Sequence, residues 1–317
     1  MPLLRSPLES GLPRPRRPVL RLSDRPAFLP PLGLAIAVIS VSFAAPLFRM
    51  ADAPPLTASF WRLLFAVALL LPFTSRAAVA WTSYTRHDWK LILASGVALG
   101  AHFAFWVTSL FYTTVAASVS LVTLQAVLVA LGGHFLLGDK LSRRAWLGVL
   151  IAFAGATIIA LGDGGLGGAS KRALFGNLLA FLGGFGSAAY MLIGRRLRAS
   201  KGLVEYVTPV YAVAAATVML ALPLTGQPLA ADLPPRSFLL FVLLAAVPML
   251  GGHTIANWCL KHMEAHVVAT WILLEPLGAA LLAWPLLGEV PTGATAMGGA
   301  LVLWGAAQTQ RKAQPLS

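Results

Sequence analysis

Four ionisable side chains, Arg62, His102, His253 and Glu275, lie inside apolar runs long enough to cross a bilayer. A charge at that depth costs about 3 kcal/mol or more, so it faces a partner or a watered cavity and marks a route for a solute or ion. Glu275 stands about twelve residues into its run and is followed by Pro276. Proline lacks an N–H and frees a carbonyl one turn earlier. Carboxylate and carbonyl together can take a proton or a cation; the competing role is a structural hydrogen bond to another helix. His102 and His253 stand in two different runs, each after a glycine-containing stretch. Imidazole titrates near neutral pH, so the two can relay protons, or else hold helices together as neutral rings. Trp106 and Asn257 follow them by four residues, on the same helical faces. Gln125 supplies an amide at a position related to Glu275. Arg62 lies about six residues into its run, where it can bind an anion, gate the outer mouth or snorkel to the interface as an anchor.

These residues require membrane-spanning helices to position them. Of 317 residues, 58% are hydrophobic and 11% charged, against about a quarter charged in soluble domains. A span needs about 20 apolar residues. The pattern predicts an all-α integral membrane protein with ten spans, at 30–48, 57–74, 89–109, 114–136, 145–162, 174–196, 205–224, 237–260, 263–287 and 293–309. With the N-terminus inside, the inner segments hold 19 Lys and Arg and the outer loops 4. Basic loops stay cytoplasmic, so both termini are expected there. The net charge of +13 sits in short clusters between apolar runs and not on one patch, which excludes nucleic acid as the partner. Residues 1–29, rich in Pro and Arg, read as a disordered cytoplasmic tail.

The chain also repeats itself. LGDKLSRRAWLGVLIAFAG (137–155) matches LGEVPTGATAMGGALVLWG (287–305) at an offset of 150, and LQAV (124–127) falls on LEPL (274–277). Gly100-Ala101-His102 matches Gly251-Gly252-His253 with one residue of slippage. Five spans is an odd number, so the second unit enters the membrane from the opposite side. Two inverted five-helix repeats, 30–162 and 174–309, mark secondary transporters that alternate access about a central site.

The pieces FWRLLFA (60–66), LGDKLS (137–142), LLEP (273–276) and LLGEVPT (286–292) make the chain resemble the EamA-type proteins of the drug/metabolite transporter superfamily, over residues 30–309. The resemblance implies transport of small organic solutes, amino acids and related compounds among them, with export across the inner membrane as the expected direction. Where the family often carries a proline in helix 4, this chain has Ala126, so a helix break is expected in only one half, at Pro276. Trp106, Trp258 and Trp271 lie on helices that could line the cavity.

The rival classes are an intramembrane enzyme, for which no motif of catalytic spacing appears, and a membrane scaffold or sensor, which needs no polar groups at mid-depth. Cys259 is the only cysteine, so no internal disulfide and no cysteine metal cluster can form. No cofactor or metal is expected. The expected partners are a small-molecule substrate and the lipid bilayer. Proton coupling through Glu275 or the histidines is compatible with the sequence, as is a facilitator. Gly148, Ala152, Gly155, Gly298 and Gly305 form small-residue stripes that suit close helix packing or a homodimer face. His134 and His266 are expected at the cytoplasmic interface, and Asp139 and Glu289, in loops after Leu-Gly, are expected to cap or turn the chain into the following helices.

Overall fold

A computed structural model describes residues 29–139, 141–162, 170–230 and 233–310. The tail expected over 1–29 lies outside the described residues, apart from Leu29, and so do Arg311 and Lys312. All regular structure among the described residues is helical. Eight helical segments are long and apolar enough to cross a membrane: α1 (Leu29–Met50), α2 (Pro55–Phe73), α3 (Arg86–Ser109), α4 (Val115–Leu136), α6 (Lys171–Arg198), α7 (Leu203–Thr225), α8 (Pro235–Cys259) and α9 (Ala265–Leu287). Two further helices, α5 (Arg143–Gly162) and α10 (Gly293–Gln310), occupy the remaining expected stretches. A short helix, Ser75–Trp81, joins α2 to α3.

Small residues set the helix spacing. A Cβ added to Gly148 would stand 2.7 Å from the Gly305 carbonyl oxygen, and one on Gly155 would stand 2.5 Å from that of Gly298. The small-residue stripes therefore face each other across α5 and α10, and this packing consumes the surface that the sequence left open to a homodimer. Likewise Gly96 and Gly100 bring α3 against α7, and Gly186 brings α6 against α3. Without water to drive association, such close approach is what holds membrane helices together.

The 150-residue repeat reaches the backbone. α4 is interrupted at Thr123-Leu124 and resumes at Gln125; α9 is interrupted at Leu273-Leu274 and resumes at Glu275. The break expected only at Pro276 thus occurs in both halves. Proline is not its cause: at Ala126 the N–H donates to the Thr123 carbonyl at 3.0 Å in a tightened turn, and Pro276 sits in the first turn of the resumed helix, where proline is tolerated. The helix ends match too. Gly138 and Gly288 both have φ 75°, the left-handed conformation glycine adopts at helix C-termini. Asp139 N–H then donates to the Gly133 carbonyl and Glu289 N–H to the Ala283 carbonyl. The following helices are capped by Ser142 and Thr292, whose hydroxyls accept from the Ala145 and Thr295 N–H groups. Of the two roles expected for Asp139 and Glu289, capping falls to Ser142 and Thr292, and the acidic residues take part in the turns between the helices.

The two halves differ at the histidines. α8 winds as a π-helix from Ala245 to Thr254, around Pro248 and His253, while α3 is α-helical at His102. The one-residue slip between the halves coincides with this stretch. π-helical segments are rare and gather at functional sites.

Candidate functional site

The interruptions in α4 and α9 bring Gln125 and Glu275 to the first residue of a resumed helix. The positive end of a helix dipole favours a negative group by about 0.3–1 kcal/mol, so Glu275 sits where an anion is partly supported. Both residues line a central cavity with His102 and Trp106 from α3, Tyr190 and Met191 from α6, and His253 and Asn257 from α8. α1 closes it with Val41 and Ala44. Both halves of the chain thus contribute. The free volume is about 30 Å³, room for a water or two, whereas a pocket for an organic ligand holds about 300 Å³ or more. This conformation leaves no room at the site for an organic solute.

His102 donates through Nδ1 to the Gly183 carbonyl at 3.0 Å; because a carbonyl only accepts, Nδ1 carries the proton. Its ring stacks on Trp106 at 5.6 Å with 9° between planes. The His102 and His253 ring centres are 6.2 Å apart, so the two expected partners do meet. Asn257 donates from Nδ2 to the Tyr190 hydroxyl and, at 2.8 Å, to the His253 carbonyl. The second acceptor fixes the amide orientation and turns Oδ1 toward Gly194, where it has no partner. Glu275 is 7% exposed and makes no hydrogen bond or ion pair with the described residues.

Three expectations change. Arg62 neither snorkels nor lines the cavity: it is 0% exposed and lies behind Phe103, its guanidinium 4.4 Å from that ring. Trp258 packs on Gly33 and beside His262, and Trp271 is likewise absent from the lining, so of the three tryptophans Trp106 alone faces the site. His266 is buried at 3% exposure, with Glu264 Oε2 at 3.4 Å, and does not lie on the surface. His134 is half-buried at the end of α4, its Nδ1 3.1 Å from the Asp139 carbonyl. The sequence reading missed Tyr190. Its signal was a lone tyrosine in the middle of an apolar run, away from the interfaces where tyrosine usually sits.

The two ends of the bundle carry matching arginines. Arg49, at the end of α1, donates to the Leu110 carbonyl at 2.5 Å and stands 3.6 Å from Glu289. Arg195, near the end of α6, donates to the Leu260 carbonyl at 2.7 Å and lies in the field of Asp139 and Glu264. Burial raises the pKa of Asp139, and the attraction of Arg195 only partly offsets it. Burial and the charge of Asp139 raise Glu264 in the same way. Among the described residues no group of three or more His, Cys, Asp or Glu could hold a metal ion.

Eight helices long and apolar enough to cross a membrane, six of them contributing to one polar cavity, define a multi-pass membrane protein with a central site. The EamA-like transporter family model matches residues 30–161 and again 174–309; the chain belongs to this family. It is 28% identical over 297 residues to an "Uncharacterized transporter" of Archaeoglobus fulgidus, covering 89% of this chain and 96% of that one. It is 26% identical over 169 residues to the "Uncharacterized transporter YetK" of Bacillus subtilis, covering 52% of this chain and 51% of the relative. A solved crystal structure at 21% identity shares the fold, with a TM-score of 0.73 over 89% of this chain and 96% of that one.

Proposed function

We propose that the protein is a secondary transporter that exports small organic metabolites, amino acids or related compounds, across the inner membrane. Two inverted five-helix repeats, 30–162 and 174–309, alternate access to the central cavity, with α5 and α10 completing ten spans. The observation that carries this reading is Glu275: a carboxylate without a partner among the described residues, in a cavity to which both halves contribute. A buried carboxylate of this kind is retained for a proton or a cationic group that comes and goes. The paired interruptions of α4 and α9 support the repeat, since discontinuous helices at mid-depth are where such transporters bind their solutes. Cys259 Sγ lies 3.6 Å from the Pro30 carbonyl, and Arg144 donates to Gln308 at 2.9 Å. These contacts favour both termini at one end, the end that the basic residues assign to the cytoplasm.

The test uses purified protein in liposomes. Glu275→Gln removes the titratable group while preserving shape. Wild type is expected to show solute counterflow and pH-dependent net uptake. The variant is expected to insert normally, retain counterflow and lose the pH dependence. Equal transport by both proteins at every pH would make Glu275 structural, and the absence of counterflow with any metabolite in a cell extract would remove the transport reading itself.

A further inference from the structure

Arg62 carries a charge that nothing around it uses. None of its three guanidinium nitrogens has a hydrogen-bond partner among the described residues, and the side chain is fully buried. It lies 4.4 Å from the centre of the Phe103 ring and 5.4 Å from that of Phe48. Phe103 in turn meets His253 at 5.4 Å, and Phe48 meets Trp106 at 5.9 Å. One aromatic layer therefore separates the guanidinium from the cavity. Aromatic faces attract a cation, by about 2 kcal/mol when desolvated, but they accept no directed hydrogen bonds of the strength that a guanidinium makes with a carboxylate. Removing a charge from water costs several kcal/mol, so the site as it stands lacks an anion. Glu275 is within electrostatic reach yet forms no ion pair with Arg62.

We propose that Arg62 is the carboxylate-selecting residue of the transport site: as the cavity opens, Phe103 and Phe48 move aside and the guanidinium receives the acid group of the solute. This rests on the transport reading. Charge balance then sets what Glu275 does. A zwitterionic solute offers its carboxylate to Arg62 and its ammonium to an ionised Glu275. A monocarboxylate satisfies Arg62 alone and requires Glu275 to be protonated, so acid and proton bind together. The other titratable groups facing this pair are His102 on α3, Tyr190 on α6, Tyr211 on α7 and His253 on α8. α1 contributes none, and α4 contributes the neutral amide of Gln125.

Three probes of one shape separate the charges: 3-phenylpropionate, phenylalanine and phenethylamine. Binding to detergent-purified protein is read by thermal stabilisation across about pH 5–8, a readout independent of flux. Wild type is expected to be stabilised by 3-phenylpropionate at low pH, with an apparent affinity that falls about tenfold for each pH unit once Glu275 ionises. Phenylalanine should stabilise it more strongly as Glu275 ionises, the opposite pH trend, and phenethylamine should not stabilise it. Arg62→Gln should lose both carboxylate responses, Arg62→Lys should retain part of them, and Glu275→Gln should bind 3-phenylpropionate without pH dependence. Should Arg62→Gln fail to fold, wild type and Arg62→Lys decide. Preference for the amine, equal stabilisation by sodium chloride at the same concentration, or no response to any of the three overturns the proposal. Counterflow of some other metabolite would meanwhile leave the transport reading standing.

Discussion

At the residue scale, the polar groups divide into those that fix geometry and those left unpaired. Asn257 belongs to the first kind, because its amide bonds to Tyr190 and to the His253 carbonyl. Glu275 and Arg62 belong to the second. Asp139 offers a separate test at the membrane edge. Its Oδ2 is buried without a hydrogen-bond partner among the described residues, and its pKa in the folded protein lies above the ordinary value because burial outweighs the nearby Arg195 and the Ala265 N–H. Folding therefore favours the protonated acid. Its contribution to stability is greatest below the unfolded pKa of about 3.9 and is lost as pH rises through the folded value. Asp139→Asn, which cannot ionise, is expected to unfold at a higher temperature than wild type at about pH 7–8, with the difference closing toward about pH 4. A variant that melts lower than wild type at neutral pH would mean that the charge is needed there, paired with Arg195.

At the element scale, the interruptions and the close glycine contacts decide the architecture. If the turn at Thr123-Leu124 is set by tertiary packing, Ala126→Pro removes one hydrogen bond, from Ala126 to Thr123, at a cost of about 1 kcal/mol. Pro276→Ala should be similarly mild. A loss of folding in either would show that the two breaks have different causes; the measurement is thermal melting of the purified variants. Gly155→Leu should be far worse. Its first side-chain carbon would already stand 2.5 Å from the Gly298 carbonyl and 2.9 Å from Leu301, and backbone cannot yield as a flexible side chain does. Overpacking of this kind costs about 1–3 kcal/mol or more, and poor membrane yield of that variant is the expected result.

At the scale of the whole molecule, a cavity of about 30 Å³ is too small for a metabolite, so the proposed alternation predicts that the two halves separate at one mouth. Arg49 and Glu289 join the halves at one end, 3.6 Å apart. Arg49→Cys with Glu289→Cys, in a Cys259→Ser background, places one thiol on each half. Joining them with a short bifunctional reagent should abolish transport, leave folding intact, and be reversed by cleaving the linker. Full activity of the linked protein would show that this mouth need not open.

Eight of the ten expected spans and the 150-residue offset were legible in the sequence because each rests on local composition: apolar length sets a helix, and matching residues set matching turns. The types of the candidate site residues were legible for the same reason, since a charge in an apolar run is conspicuous wherever the run folds. Only the tertiary structure decided which way those side chains turn. Arg62 sits behind Phe103, Trp258 and Trp271 point away from the cavity, and Tyr190 points into it. The break in α4 without a proline and the π-helical stretch in α8 also appear only in three dimensions. Spacing along one helix fixes which residues share a face, but which face meets the cavity depends on the neighbours packed around it, and those contacts join residues far apart in the chain.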